Sequence, residues 1–156
     1  MENKIKTFKA AFTAVFTAIT TEFGWFGWLV IVYIVSMTID LLTGFMSAFK
    51  CGNWESRVAR EGLWNKLGCI VAVLVTAIFD FIIGMIINNL PNIDFPFNYT
   101  VMLCPLAIIW YLLTELGSII ENAGKMGAPI PGFIKKALAL FKDAVDGAGD
   151  KIVQDD

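Results

Sequence analysis

The sequence predicts an all-α integral membrane protein with three transmembrane helices, an N-terminal amphipathic helix that lies in the interface, and a C-terminal amphipathic helix. Of the 156 residues, 57% are hydrophobic and only 17% are charged, against about 25% charged residues in an average soluble domain. The mean hydropathy is +0.69. A chain with so much apolar mass lacks the polar surface that a soluble fold needs, so we assign it to the membrane.

Three apolar windows predict the transmembrane helices, because about 18 or more such residues cross a hydrocarbon core about 30 Å thick. Each window contains a single charged residue, which is Asp40, Asp80 or Glu115. Tryptophan and tyrosine residues lie near the window ends, where amphipathic aromatic side chains favour the headgroup region. The windows cover residues 25–49, 67–90 and 101–120 within a membrane domain of residues 25–123.

The first segment, residues 1–24, is predicted to be an amphipathic helix lying in the membrane interface. Its apolar residues recur at spacings of three and four, and lysines and threonines occupy the other positions. A cleaved signal peptide is one alternative, but the segment is rich in threonine and shows no clear A-x-A cleavage site. A fourth span is another, although only twelve uncharged residues separate Lys9 from Glu22.

The last segment, residues 124–156, begins with glycines and prolines that are predicted to break the third helix. A short amphipathic helix follows, with apolar residues from Phe133 to Val145 on one face. We expect the acidic tail that ends at Asp155 and Asp156 to be solvated.

The distribution of lysine and arginine predicts the orientation. The linker 50–66 and the C-terminal segment together carry nine of these residues, whereas the N-terminal segment and the linker 91–100 carry three. This excess predicts a cytoplasmic C-terminus. Basic residues of the first linker are interpreted as anchors to anionic headgroups. These anchors are Lys50, Arg57, Arg60 and Lys66.

Each predicted span carries a stripe of small and polar residues along one side. A charge at the bilayer centre costs about 3 kcal/mol, so such residues normally face a bundle interior or water. We therefore expect the stripes to line a pore or to form a seam between subunits. Packing of small residues alone is one alternative, and a neutral carboxyl group hydrogen-bonded within the bundle is another. The stripes are Ser36, Asp40, Gly44 and Ala48; Ala72, Thr76, Asp80, Gly84 and Asn88; and Tyr111, Glu115 and Ser118, continued by Asn122.

Several function classes are disfavoured by the composition. The sequence contains no histidine, the commonest general base and metal ligand. Its three cysteines are far apart and are interpreted as reduced thiols. A net charge of −2 and a pI near 5.1 do not favour binding of nucleic acid. We therefore predict no catalytic residues, no metal site and no cofactor, and we do not expect an enzyme.

Five short motifs follow one another along the membrane domain. They are Thr38–Gly44 (TIDLLTG), Gly62–Lys66 (GLWNK), Asp80, Glu115–Asn122 (ELGSIIEN) and Gly127–Pro131 (GAPIP). In this order and spacing, the chain resembles the phage lysis and clostridial toxin-secretion holins over roughly residues 30–142. The resemblance implies a protein that forms homo-oligomers in the bacterial (host) cytoplasmic membrane and opens it. An endolysin or a large toxin would then be released through this opening. The resemblance does not imply that the protein binds this cargo directly.

Two other classes of function stay open at this point. A narrow channel or proton-coupled transporter would use Asp40, Asp80 and Glu115 as a relay, although the chain lacks the inverted repeat of many transporters. A membrane scaffold or accessory subunit would use the same carboxyl groups only to specify helix packing.

Overall fold

The computed structural model describes residues 2–52, 55–89 and 103–154, which form four α-helices and no strand. The predicted linker 91–100 and the final residues Asp155 and Asp156 lie outside these described residues. The prediction of an all-α protein is confirmed. The helices are α1 (Glu2–Cys51), α2 (Ser56–Asn89), α3 (Leu103–Lys125) and α4 (Gly132–Gln154).

Three of the described helical segments are long and apolar enough to cross a membrane, as the sequence predicted. Large apolar side chains on their outer faces stay exposed, among them Ile34, Leu74 and Phe81. Such faces suit contact with lipid, because the hydrocarbon tails of the bilayer surround them where water would surround a soluble protein. The protein is therefore a multi-pass membrane protein. Its candidate spans are Gly24–Cys51, Ser56–Asn89 and Leu103–Lys125.

Gly24 divides α1 into two helical parts. Its φ of 53° and ψ of −128° belong to a region that residues with a Cβ rarely adopt. The part before Gly24 contains the segment predicted to lie in the interface, and the part after it is the first span. A change of direction at this boundary is what a surface helix leading into a transmembrane helix requires.

The spans α1 and α2 both pack against α3, whereas α1 and α2 make few direct contacts with each other. The apolar core is small and joins Tyr33 and Met37 of α1 to Cys104 and Ile108 of α3. Each pair is spaced by four residues, so its members share one helix face. A small core is expected here, because most apolar side chains of a membrane helix contact lipid.

The turn after α3 is a Schellman-type C-cap centred on Gly127. The Ala128 amide donates to the Ala123 carbonyl at 3.0 Å, and the Gly127 amide donates to the Gly124 carbonyl at 2.9 Å. Gly127 has a φ of 93°, which favours glycine at this position. The chain therefore leaves α3 in a tight reversal.

α4 runs back alongside α3 in the opposite direction. Lys142 places its Nζ 4.6 Å from the centre of the Trp110 ring. Trp110 lies about 22 Å along α3 from the turn at Lys125, so contact so far from the turn requires antiparallel helices. The helix also continues to Gln154, so the described part of the expected acidic tail is helical. α3 and α4 therefore form a helical hairpin.

Candidate functional site

The polar stripes of the three spans turn towards the inside of the bundle. Five predicted residues are buried, namely Ser36, Asp40, Asp80, Glu115 and Asn122, each with at most 8% of its surface exposed. Asn88 is exposed. The other predicted stripe residues are half-buried: Gly44, Ala48, Ala72, Thr76, Gly84, Tyr111 and Ser118.

The period of the helix explains why parts of the predicted stripes drift outwards. Four residues turn an α-helix by about 400°, so a strict four-residue step rotates the side chain by about 40° each time. Asn88 is two such steps beyond Asp80 and faces outwards. In α1, the buried residue is Ser47, seven positions after Asp40, whereas the predicted Ala48 is half-buried. Sequence reasoning missed Ser47 because it followed a period of 4.0 rather than 3.6.

A cluster of three charged side chains joins the three spans, and we call it the core cluster. Lys66 of α2 has its Nζ 2.7 Å from Oδ2 of Asp40 in α1. The same Nζ forms an ion pair and hydrogen bond with Oε2 of Glu115 in α3. All three side chains are largely buried, with 7–12% of each exposed. One cation thus bridges two carboxylates from different helices.

This position differs from the one expected for Lys66. The sequence grouped Lys66 with the headgroup anchors, but its ammonium group lies inside the bundle between Asp40 and Glu115. The other predicted anchors, Lys50, Arg57 and Arg60, are exposed. Lys50 donates a hydrogen bond to the carbonyl of Met126, at the C-terminal turn of α3.

A sequence signal for the buried lysine did exist. Lys66 lies fourteen residues before Asp80, and fourteen residues are almost four whole helical turns, so the two side chains share a face. The signal was overlooked because Lys66 immediately precedes the apolar window 67–90. A basic residue at the edge of a span can face the bundle interior when carboxylates there pair with it.

Asn122 and Thr43 extend the core cluster towards the end of α3. The Nδ2 of Asn122 donates to Oδ1 of Asp40 at 3.2 Å and to Oγ1 of Thr43 at 3.4 Å. Asp40 therefore accepts hydrogen bonds from Lys66 and Asn122 at once. Bonding both carboxylate oxygens offsets part of the cost of removing the charge from water. Thr43 was missed as a stripe residue, although it lies three positions after Asp40.

Asp80 has a separate role at the other end of α3. Its Oδ1 accepts a hydrogen bond from the Leu103 amide at 3.1 Å, and its Oδ2 accepts one from the Cys104 amide at 2.9 Å. These amides belong to the first turn of α3, where backbone donors have no partner within the helix. A carboxylate also interacts favourably with the positive end of the helix dipole. Asp80 thus caps α3 from the neighbouring helix.

The positions of the three carboxyl groups do not favour a proton relay. Glu115 lies about 16 Å along α3 from Cys104, whose amide binds Asp80. Asp40 and Glu115 share Lys66, so only these two acidic residues belong to one cluster. Among the described residues, no three Cys, Asp or Glu side chains are grouped as a metal site would require.

A cavity of about 440 Å³ lies between α1, α2 and α3 beside the core cluster. Asp40, Lys66 and Asn122 contribute to its wall, and Glu55 and Lys125 line it as well. The charged groups therefore border open space instead of tight packing.

The fold and the core cluster define the class of this protein: a small three-span membrane protein whose buried charges are paired across helices. A family model described as the bacteriophage holin family matches residues 17–143. The chain belongs to the bacteriophage holin family. The resemblance seen in the sequence motifs is thereby confirmed, and a holin-type membrane function follows at the level of the family.

Similar proteins come from several bacteria. An uncharacterized protein of Halalkalibacterium halodurans is 28% identical over 125 residues, which is 80% of this chain and 86% of the relative. An uncharacterized 14.9 kDa protein in the nagH 3′ region of Clostridium perfringens is 29% identical over 138 residues, covering 88% and 95%. An uncharacterized protein of Listeria monocytogenes is 26% identical over 129 residues, covering 83% and 81%. No solved structure matches the chain.

Proposed function

We propose that the protein is a holin that accumulates in the bacterial cytoplasmic membrane, assembles into homo-oligomers and opens a lesion. The lesion releases an endolysin, or a large toxin, that has no export route of its own. Membership of the holin family supports this proposal. The observation that carries it is the pairing of Lys66 with Asp40 and Glu115 inside a single chain.

Pairing of this kind explains how single copies can accumulate harmlessly. An unpaired charge facing lipid costs about 3 kcal/mol. In this fold the charges of the spans face one another, while apolar side chains such as Leu74 and Phe81 face outwards. The three spans of a separate copy are therefore compatible with an intact bilayer, and many copies can collect before the membrane opens.

Lesion formation requires many copies, because three helices cannot enclose a wide opening. We assign the polar stripes to the seam that holds α1, α2 and α3 together before assembly. The half-buried small residues of the stripes, including Gly44, Ala48 and Gly84, then allow close approach of helices from other copies. Assembly would not require the core cluster to break.

Residues 56–66 of the predicted linker belong to α2, so the connection between α1 and α2 is short. The proposed orientation places the end of α1, the start of α2 and the turn between α3 and α4 at the cytoplasmic face, with a cytoplasmic C-terminus before the lesion opens. The excess of basic residues on this side supports it. Cys51 is exposed, whereas Cys69 is half-buried and Cys104 is buried. In intact cells, Cys51 should be protected from a membrane-impermeant thiol reagent. Rapid labelling in cells whose membrane is still sealed would reverse the orientation.

The helix before Gly24 is proposed to lie in the interface of the bilayer. Its apolar and lysine-bearing sides support this position, as does the kink at Gly24. A peptide of residues 1–23 should become helical with anionic vesicles and lie parallel to their surface. A perpendicular orientation by oriented circular dichroism would indicate a fourth span instead.

Induced expression in bacteria tests the proposed function. Growth should stop abruptly, and cytoplasmic proteins of graded size should then appear in the medium. A narrow channel would depolarise the cells while retaining proteins, and a scaffold would do neither. Retention of all cytoplasmic proteins at full membrane abundance of the chain would therefore overturn the holin assignment.

A further inference from the structure

We propose that the charged face of α4 forms the water-facing wall of the lesion, with α4 lying across the membrane alongside α3. This inference rests on the proposed holin function and specifies which surface lines its opening. The charged face consists of Lys135, Lys136, Ala139, Lys142, Asp143, Asp146 and Asp150.

The side chains of α4 divide into three sectors around the helix axis. At about 100° per residue, the charged face covers roughly one third of the circumference. A second sector, which includes Leu138 and Val145, is half-buried on the side where α4 packs on α3. A third sector is exposed and apolar from Phe133 to Ala144, with Phe133 71% and Leu140 69% exposed, and ends in the exposed Lys151 near the end of α4. One helix thus presents separate surfaces to α3, to apolar surroundings and to water.

The contact between Lys142 and Trp110 sets the depth of α4. Because Trp110 lies about 22 Å along α3 from Lys125, Lys142 lies well inside a hydrocarbon core about 30 Å thick. Lys135, Lys136 and Asp143 then also lie at membrane depth, and all three are exposed. Charged side chains at this depth must face either a protein partner or water.

The core cluster cannot serve as this wall, since its groups are already paired. Lys66 binds Asp40 and Glu115, and Asn122 also donates to Asp40. The charged face of α4, in contrast, lies on the outside of the chain, apart from Lys142, which is half-buried against Trp110. A ring of copies that turned this face inwards would surround a water-filled opening, while the apolar sector of each α4 stayed out of water.

A single copy surrounded by lipid cannot keep α4 in this position. Its charged face would contact hydrocarbon, so α4 would lie at the cytoplasmic surface as an amphipathic helix. When copies assemble around a water-filled opening, water solvates the charged face, and α4 can then pack along α3. Movement of α4 from the surface to α3 is therefore the step that couples assembly to opening.

Two neighbouring positions in the full-length protein test the proposal. Ala139 is exposed on the charged face, whereas Leu140 is exposed on the apolar sector, 100° away. In a chain with Cys51→Ser, Cys69→Ala and Cys104→Ala that still releases cargo, Ala139→Cys or Leu140→Cys would carry a fluorophore. The protein is reconstituted in phosphatidylethanolamine–phosphatidylglycerol vesicles that contain a trapped fluorescent protein. Quenching by aqueous iodide and by spin labels at two lipid depths is then measured.

In vesicles that release their contents, we expect iodide to quench the probe at position 139 at least threefold more than the probe at position 140. Spin labels at the chain centre should quench the probe at position 140 better than labels at the headgroup. If headgroup spin labels quench both probes best in leaking vesicles, α4 lies at the membrane surface. That result would overturn this inference but not the holin function. Failure of the wild-type protein to release trapped protein would overturn both.

A second measurement uses release itself. Asp143→Leu on the charged face should reduce protein release more than tenfold at equal membrane abundance. The control Ala144→Leu adds the same side chain next to it, outside the charged face, and should leave release within twofold of wild type. Equal release by the two variants would overturn the proposal even if the labelled proteins failed to fold.

Discussion

Two sets of charged residues in this protein lie at similar depth along α3 but have opposite surroundings. In the core cluster, Lys66 is buried between Asp40 and Glu115. On α4, charged side chains such as Lys136 and Asp143 are exposed on the outer surface of the hairpin. The comparison shows that the buried ammonium group of Lys66 is matched by carboxylates from two neighbouring helices, whereas exposed charges such as Lys136 and Asp143 lie where water can solvate them.

The two sets therefore depend on assembly in different ways. The core cluster is complete within one chain, so it stabilises each copy whether or not others are present. The charged face of α4 is not solvated within a single chain, because at membrane depth only the water-filled opening between copies can solvate it. Substitutions in the first set should alter folding, whereas substitutions in the second should alter opening.

The largest effect is expected for Lys66→Leu. Removing the ammonium group leaves two carboxylates buried without a cation, and breaking a buried pair in this way costs about 3–5 kcal/mol. We expect a large loss of membrane-integrated protein and a lower midpoint of thermal unfolding in detergent micelles.

Arg60→Leu is the matched control for this prediction, because Arg60 is an exposed basic residue of the same helix. It should behave like the wild type. The combination Lys66→Leu, Asp40→Asn and Glu115→Gln should recover much of the lost stability, since no unpaired charge then remains. Equal stability of Lys66→Leu and Arg60→Leu would mean that the core cluster does not stabilise the fold.

A smaller effect is expected for Asp80→Leu, which leaves the Leu103 and Cys104 amides without their acceptor. Loss of a helix cap costs about 1–2 kcal/mol. The variant should still reach the membrane, unfold at a lower temperature, and lose or mistime lethality. Asp80→Asn retains an acceptor oxygen, so we expect an intermediate effect in both measurements.

Asp155→Asn serves as the control for Asp80, since it also removes a carboxylate but belongs to the acidic tail of the sequence, outside the described residues. Its timing and stability should match those of the wild type. Normal abundance and normal lysis timing of Asp80→Leu would mean that capping of α3 is unimportant for function.

The smallest effect on stability is expected for Lys142→Met. This change removes the cation from the Trp110 ring while keeping an apolar stem, and such a contact contributes about 0.5–1 kcal/mol. Unfolding should barely change, but protein release should fall if α4 must lie along α3. Lys136→Met removes a charge from the same face without touching that contact and should reduce release less. A larger loss of release in Lys136→Met than in Lys142→Met would mean that packing of α4 along α3 is not required for lesion opening.

Much of the fold followed from local sequence. The apolar windows predicted three spans because length and apolarity alone decide whether a helix can cross a bilayer. The charges at Asp40 and Glu115 predicted inward-facing positions, because exposure to lipid is costly. Both residues are buried. Strict four-residue steps, however, assigned Ala48 and missed Ser47, since small errors in period accumulate along a long helix.

The sequence by itself determined that the chain is helical, that it crosses the membrane and that its carboxyl groups avoid lipid, because these properties depend on the composition of each segment. Tertiary structure decided which partners those groups found. Lys66 joins Asp40 and Glu115, and Asp80 caps α3, only because helices distant in sequence lie side by side. The return of α4 along α3 was decided in the same way. Contacts of this kind depend on how the helices are arranged, which the period and charge of a single helix do not encode.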